Sequence, residues 1–308
     1  MAVALRARGG QYAPRHFLGW AFLVPTLIFF IGWQVYPILR VFYLSFTNYH
    51  FLATSAPITF IGLANYTTAI VDPVVWLGIG RAAAFTAIFL PGMIFIPLLL
   101  AVLIDRVHNG VLATTYRLIL LIPAVIPGAL IIVLWKWMYN FNIGPINYTL
   151  VDVLGVVSAR AAPQWLGNPW LTLPAIAVME WWWGLGYHTL FFLAGLAAIP
   201  RDLYEAARVD GANEWNLFWH VTIPRLLPIL LVLVVLRFGT AMAVIDEYLI
   251  LGGFNRALPT YTWTVYMWDL AFQLGDWPQG YAAAIGWIGA FFMLIVVSGL
   301  FWIFRSRD

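Results

Sequence analysis

Two ionisable residues stand inside long apolar runs of this sequence: Glu180 in the run 170–199 and Arg237 in the run 226–249. A charged group at bilayer depth costs about 2.5–3.5 kcal/mol even on insertion scales, so it faces a cavity or a partner rather than lipid. On a helix, Glu180, Gly184 and Tyr187 share a stripe at i, i+4 and i+7, and Arg237, Ala241 and Val244 form a similar one. Two such stripes either border a small polar solute or simply neutralise each other, and both readings stand. Asp246 and Glu247, at the end of the second run, are placed to gate a cavity or to meet a soluble partner. A solvated span end is the plainer account of them.

Nothing else in the sequence is equipped to make or break a bond. The single lysine, Lys136, follows Leu134-Trp135, so no Gly-rich phosphate loop ending in Gly-Lys-Ser/Thr exists. His16, His50, His108, His188 and His220 include no pair at metal-ligand spacing. Ser45, Ser55, Ser158, Ser298 and Ser306 lie in no nucleophile-elbow context. Cysteine is absent, which removes disulfides and thiolate sites without fixing a compartment. The expectation is a chain that is no enzyme, holds no metal and carries no cofactor of its own. A net charge of +3 without a dense basic stripe gives nucleic-acid binding little support.

The elements that position these residues follow from composition. The chain is 63% hydrophobic and 9% charged, with a mean hydropathy of +0.87, well beyond the roughly 45–50% apolar content of soluble domains. Uncharged stretches such as 82–104, 118–135 and 277–304 approach or exceed the roughly 18 residues of a spanning helix. The reading is an all-α polytopic membrane protein with six transmembrane helices, at about 17–41, 80–104, 118–139, 170–199, 226–249 and 281–304. It divides into a cytoplasmic tail at 1–16, one six-span domain at 17–304 and a cytoplasmic end at 305–308. The first apolar run is too long for a signal-peptide core, so it reads as a retained span. Pro25, Pro91, Pro97, Pro123, Pro127 and Pro174 lie inside spans, where they kink helices around cavities. Trp20, Trp33, Trp76, Trp135, Trp137, Trp165, Trp170, Trp277 and Trp302 fall near span ends, as interfacial anchors do.

Basic residues set the orientation. With the N-terminus inside, Arg6, Arg8, Arg15, Arg106, Arg117, Arg201, Arg208, Arg225, Arg305 and Arg307 share the cytoplasmic side, ten of the sixteen. Both termini and the segment 200–225 are then cytoplasmic.

That segment gathers the charge of the chain. Residues 202–209 are good helix formers, with Asp202 and Glu205 in the first turn to suit the dipole. Gly211 supplies a permissive C-terminus, Asn213 can cap a second helix, and Pro224 closes the element. Such a polar island has to sit in water, where a soluble partner can grip it. An ordinary capped turn between spans accounts for it as well.

Glu205-Ala206-Ala207, Asp210-Gly211-Ala212, Ile223-Pro224 and Leu226 together resemble the EAA signature of permease subunits of ATP-binding cassette importers, in particular the maltose-type sugar permeases. Leu193–Pro200, Tyr36-Pro37, Ser45-Phe46-Thr47, Phe60-Ile61-Gly62-Leu63, Asn65-Tyr66, Pro123 and Pro127 extend the likeness over nearly the whole chain. In that family the loop is a cytoplasmic coupling helix that inserts into a cleft of the ATPase subunit. The resemblance therefore implies that Glu205, Ala206, Ala207, Asp210, Gly211, Ala212, Asn213 and Pro224 form the ATPase-coupling loop. It also implies a second permease, two ATPase domains that bind ATP and Mg, an extracytoplasmic solute-binding protein and a sugar substrate, within membrane lipids.

The family's substrate contacts fall on the two stripes around Glu180 and Arg237. The pathway candidates are Glu180, Trp183, Gly184, Tyr187, Arg237, Ala241 and Val244. Aromatic faces stack on sugars, yet Trp181, Trp182 and Trp183 cannot all enter one cavity, and His188 adjoins them. Ala241 and Val244 offer no side-chain hydrogen bond, which departs from the family's polar contacts and turns the expectation from a maltose-like substrate to a carbohydrate or related polyol. The alternatives are an ATPase-independent carrier for a small polar solute and an importer of a phosphorylated polyol. A channel would need a filter sequence or repeated charged rings.

Overall fold

The computed structural model describes residues 15–52, 57–273 and 278–305, with side chains from 22 to 302. Nearly all of the tail at 1–16 and of the end at 305–308 lies outside the described residues. The first described element is α1 (Arg15–Phe30), which passes through a π-helical turn at Ile31–Val35 into α2 (Tyr36–Leu44). After α3 (Ala64–Val71) comes α4 (Pro73–Asp105), then α5 (Gly110–Val125), α6 (Gly128–Met138) and the short α7 (Pro145–Tyr148). The second half contains α8 (Pro169–Ala197), α9 (Arg201–Val209), α10 (Glu214–Leu217), α11 (Ile223–Met242), α12 (Asp246–Gly252), α13 (Trp263–Phe272) and α14 (Gln279–Arg305). Among the described residues four helices are long and apolar enough to cross a membrane, or up to six spans if each of two bent pairs counts as one.

Helix α4 is the axis. Val75, Ile79, Ala82, Phe85, Phe89 and Met93 recur every three or four residues and are buried on one stripe. They meet Leu173, Ile176, Ala177 and Met179 of α8 in one core. A second cluster toward the other end joins Leu98, Ala101 and Ile104 to Phe192, Leu193, Leu196 and Leu226. Close approach of α8 to α5 depends on Gly186, where a Cβ would sit 2.1 Å from the carbonyl oxygen of Leu120.

Three expectations need correction. The third span is broken: α5 and α6 meet at 91°. Ile126, which precedes Pro127, is extended (φ −75°, ψ 132°), as the proline ring disfavours a helical residue before it. Pro224 does not close the loop element. Helix runs unbroken from Glu214 to Met242, and the π-helical turn Phe218–Thr222 just before Pro224 accommodates the missing N–H. Trp135 is no interfacial anchor: it is buried against Tyr139 and Trp182. Trp165 is half-buried and donates to Asn147 Oδ1 at 2.9 Å. Trp33, Trp76, Trp137, Trp170 and Trp302 are exposed as expected; the side chain of Trp20 and the whole of Trp277 lie outside the described residues.

One clasp ties the α13 end together. Asp72 caps α4 by accepting from the Val74 N–H at 2.8 Å, and its Oδ2 accepts from Tyr266 of α13 at 2.8 Å and Tyr281 of α14 at 2.7 Å. Burial pushes the Asp72 carboxyl up, but the hydrogen bonds from Tyr281, Tyr266 and Val74 outweigh it and hold it below its ordinary value. A carboxylate so held adds stability that is complete above the unfolded value of about 3.9 and is lost as pH falls through the lower folded value. Asp72→Ala removes the cap as well as the clasp and should destabilise by about 0.5–2 kcal/mol from the cap alone. The check is the thermal midpoint of purified protein at pH 7 and at acid pH. The difference between wild type and variant should shrink on acidification.

Candidate functional site

Two regions hold the residues singled out in the sequence. The first is the loop after α8, where α9 leaves the axis of α8 at 68°. Asp202 occupies its first turn and Arg208 its last; Glu205 falls one turn later than expected. The end of α9 explains the Asp-Gly-Ala spacing. Gly211 takes φ +84°, its N–H donates to the Arg208 carbonyl at 3.0 Å, and the Ala212 N–H reaches back to Ala207 at 2.9 Å. This is a Schellman closure, which needs a left-handed residue at that one position. Asn213 then caps the next helix by accepting from the Asn216 N–H at 2.8 Å.

The loop is held from below and open above. Tyr204 bonds Thr222 at 3.0 Å, and Leu203 and Tyr204 pack on the second core cluster. Glu214 pairs with Arg106 at 2.7 Å and Arg208 at 3.3 Å, exposed pairs that fix geometry more than they stabilise. No residue of α9 is fully buried. Glu205, Ala206, Asp210, Asn213 and Pro224 are exposed, and Ala207 and Ala212 half-exposed. Val209 and Trp215 are 87% and 68% exposed. Between α9 and the end of α4 lies a cleft of about 990 Å³ lined by Asp105, Arg106, Arg201, Glu205 and Arg208. Ala206 and Ala207 beside Glu205 leave a patch of this helix that another protein's backbone can approach closely.

The second region is a cavity of about 260 Å³ at the break between α11 and α12. Glu180, Trp183, Arg237, Ala241 and Val244 line it, together with Phe85, Phe89, Thr240, Asp246 and Glu247. Gly184 and Tyr187 are not among the lining residues. Gly184 packs against Met93 and His188, and Tyr187 is half exposed with its ring edge-on to His188 and Phe191. The three tryptophans diverge. Trp181 bonds the Phe89 carbonyl at 2.9 Å, Trp182 packs on Trp135, and only Trp183 reaches the cavity.

Arg237 and Glu180 form no ion pair. The Arg237 Nε–H donates instead to Nε2 of buried His188 at 2.6 Å. A guanidinium can only donate, so Nε2 accepts and His188 is neutral, with Nδ1–H on the Gly184 carbonyl at 2.6 Å. The sequence placed His188 beside the tryptophans, and its position two turns beyond Glu180 was the one available signal of this role. Glu180 and Glu247 are close enough to interact directly, a contact absent from the sequence reading. The break itself is tied to α13: Trp263 donates to the Met242 carbonyl at 2.9 Å and Thr264 to that of Val244 at 2.7 Å.

Residues 81–303 match the family described as binding-protein-dependent transport system inner membrane component. The chain belongs to this family. It is a multi-pass permease, similar over most of its length to other such subunits. It is 31% identical over 287 residues to the sulfoquinovosyl glycerol transport system permease protein SmoG of Agrobacterium fabrum, covering 93% of the permease and 90% of that relative. It is 30% identical over 268 residues to the trehalose/maltose transport system permease protein MalF of Thermococcus litoralis, covering 87% and 88%. A chain from the crystal structure of a bacterial ABC transporter that imports the acidic polysaccharide alginate superposes with a TM-score of 0.80, at 23% identity, over 96% of the permease and 97% of that chain. That likeness carries the fold.

Proposed function

We propose that this permease translocates a carbohydrate or related polyol as one membrane subunit of an ATP-driven importer. The observation that carries the coupling is the Schellman-closed helix α9, exposed at one end of the bundle with Ala206 and Ala207 beside Glu205. Relatives named for sulfoquinovosyl glycerol, trehalose/maltose and lactose transport support the substrate class. A solved alginate importer in complex with its oligosaccharide-bound periplasmic protein supports a solute-binding partner. In this reading an ATPase subunit, which holds ATP and Mg, grips the loop from Glu205 to Asn213. Its motion is transmitted through the unbroken helix from Glu214 to Met242 toward the cavity at Glu180 and Arg237. A carrier working without an ATPase has no use for such a helix.

A second permease is the natural partner of α1 and α2. Residues 22–34 are exposed throughout although the stretch from Phe22 to Leu44 is apolar enough to span a membrane. Over residues 22–34 the helix stands free of its own bundle, with lipid or another permease as its neighbour, before α2 meets α14 at Phe42 and Trp287. Orientation follows the basic residues: both ends of the chain and α9 are cytoplasmic, and α13 lies outside. A cysteine placed at Asn213 should therefore resist an impermeant thiol reagent added to intact cells and react after the membrane is opened. Labelling from outside would reverse the topology.

The composition of the complex is tested by isolating it from its native membrane and analysing it by mass spectrometry. The expected result is a second permease, an ATPase and a bound carbohydrate. Recovery of the chain alone, with no ATPase under several mild detergents, would contradict the importer reading.

A further inference from the structure

The cavity at the α11–α12 break carries an imbalance of charged side chains. Glu180, Asp246 and Glu247 line it against the single cation Arg237. Arg237 is further restrained because its Nε–H is held by His188, which is itself anchored on the Gly184 carbonyl. Glu180 Oε1 is sealed from solvent and receives no N–H or O–H among the described residues. Glu247 interacts with Glu180 directly, and two buried carboxyls in contact hold a proton between them; the pair then carries one negative charge, which with Asp246 still outweighs Arg237. Phe85, Phe89 and Trp183 supply aromatic surface, which favours the apolar face of a sugar ring or the face of a cation.

Building on the importer reading, we propose that Glu180 and Glu247 form a charge filter that admits neutral or amino-bearing carbohydrates and refuses acidic ones. A carboxylate, sulfonate or phosphate on the solute would meet acidic side chains with only one restrained guanidinium to receive it. The phosphorylated polyol is therefore the disfavoured alternative. Membership of the family leaves this open, since its members include importers of solutes of different charge.

The filter is measurable without knowing the solute, because the chain has no cysteine. Val244→Cys places a thiol at the cavity wall, and Asn142→Cys places a reference thiol on an exposed loop. In the assembled importer each is treated with methanethiosulfonates of matched size, one carrying trimethylammonium and the other sulfonate. The cationic-to-anionic rate ratio at Val244→Cys should exceed that at Asn142→Cys by about tenfold or more. Glu180→Gln with Glu247→Gln should bring the ratio back to the reference. Equal ratios at the two positions overturn the filter; so does a ratio that the double substitution leaves unmoved. Thr240→Cys reads the same wall if Val244→Cys reacts with neither reagent. If both thiols stay unreactive in resting and nucleotide-trapped complexes, the cavity is closed to solutes and the proposal fails. These rates need neither transport nor the solute-binding protein. The filter can thus fail while the importer reading stands, and a complex without uptake can still show the ratio.

Discussion

Replacing Gly211 with valine is expected to abolish most ATP-driven uptake while the solute-binding protein continues to bind its solute. The residue has φ +84°, and nothing lies within 4 Å of where its Cβ would be. The penalty is therefore one of backbone and not of packing. A left-handed residue with a side chain costs about 1–2 kcal/mol, more for a β-branched one. That energy acts on the closure that holds the Arg208 and Ala207 carbonyls. A shift of one to two kcal/mol changes the population of the closed loop by a factor of about 5–30. Gly211→Asn provides the control, because asparagine tolerates this region and should retain most coupling. Measurements of uptake and of solute-stimulated ATP hydrolysis separate the outcomes. Equal uptake in the valine and asparagine variants would show that the closure is not needed.

His188→Ala is expected to lower the yield of assembled complex several-fold, a larger effect than truncating exposed Glu205. It strands the guanidinium of Arg237, which loses a hydrogen bond worth about 1.5–3 kcal/mol to a charged group, and it opens a void beside Met93 and Gly184. Losses of one to two kcal/mol are enough to change cellular abundance several-fold. His188→Leu combined with Arg237→Met removes both polar partners and should restore assembly but not uptake. The double change Glu180→Gln with Arg237→Gln separates pairing from a cavity role. No ion pair joins these residues, so adding Glu180→Gln should not rescue Arg237→Gln. Full recovery of uptake kinetics across several sugars would instead mean that the two residues act only on each other.

The polar segments of this protein were more legible in its sequence than the apolar ones. The loop from Asp202 to Asn213 follows local rules: a dipole-matched start, a left-handed glycine and an asparagine cap. Each rule depends on residues a few positions apart, so the geometry follows from the spacing. The apolar spans leave fewer local signals. The right-angle bend between α5 and α6 was foreshadowed by Pro127, yet a proline in a span more often bends a helix than breaks it. The π-helical turn ahead of Pro224 has no signal beyond the proline, and a helix that absorbs a proline looks the same in sequence as one that ends there. Long-range partners were the least accessible. Arg237 lies 49 residues from His188, and Asp72 lies 194 from Tyr266 and 209 from Tyr281. Such pairs depend on how helices pack, which periodicity along one helix does not specify. The divergence of the three tryptophans is an intermediate case: helical geometry requires it, while the packing decides which of them reaches the cavity.

The most direct test of the account is uptake of the carbohydrate recovered from the native complex into proteoliposomes. These would contain this permease with its copurified membrane and ATPase partners. Accumulation should require both ATP at the α9 face and the solute-binding protein at the α13 face, and Gly211→Val should remove it. Accumulation of the same solute at an undiminished rate with neither ATP nor binding protein present would contradict it.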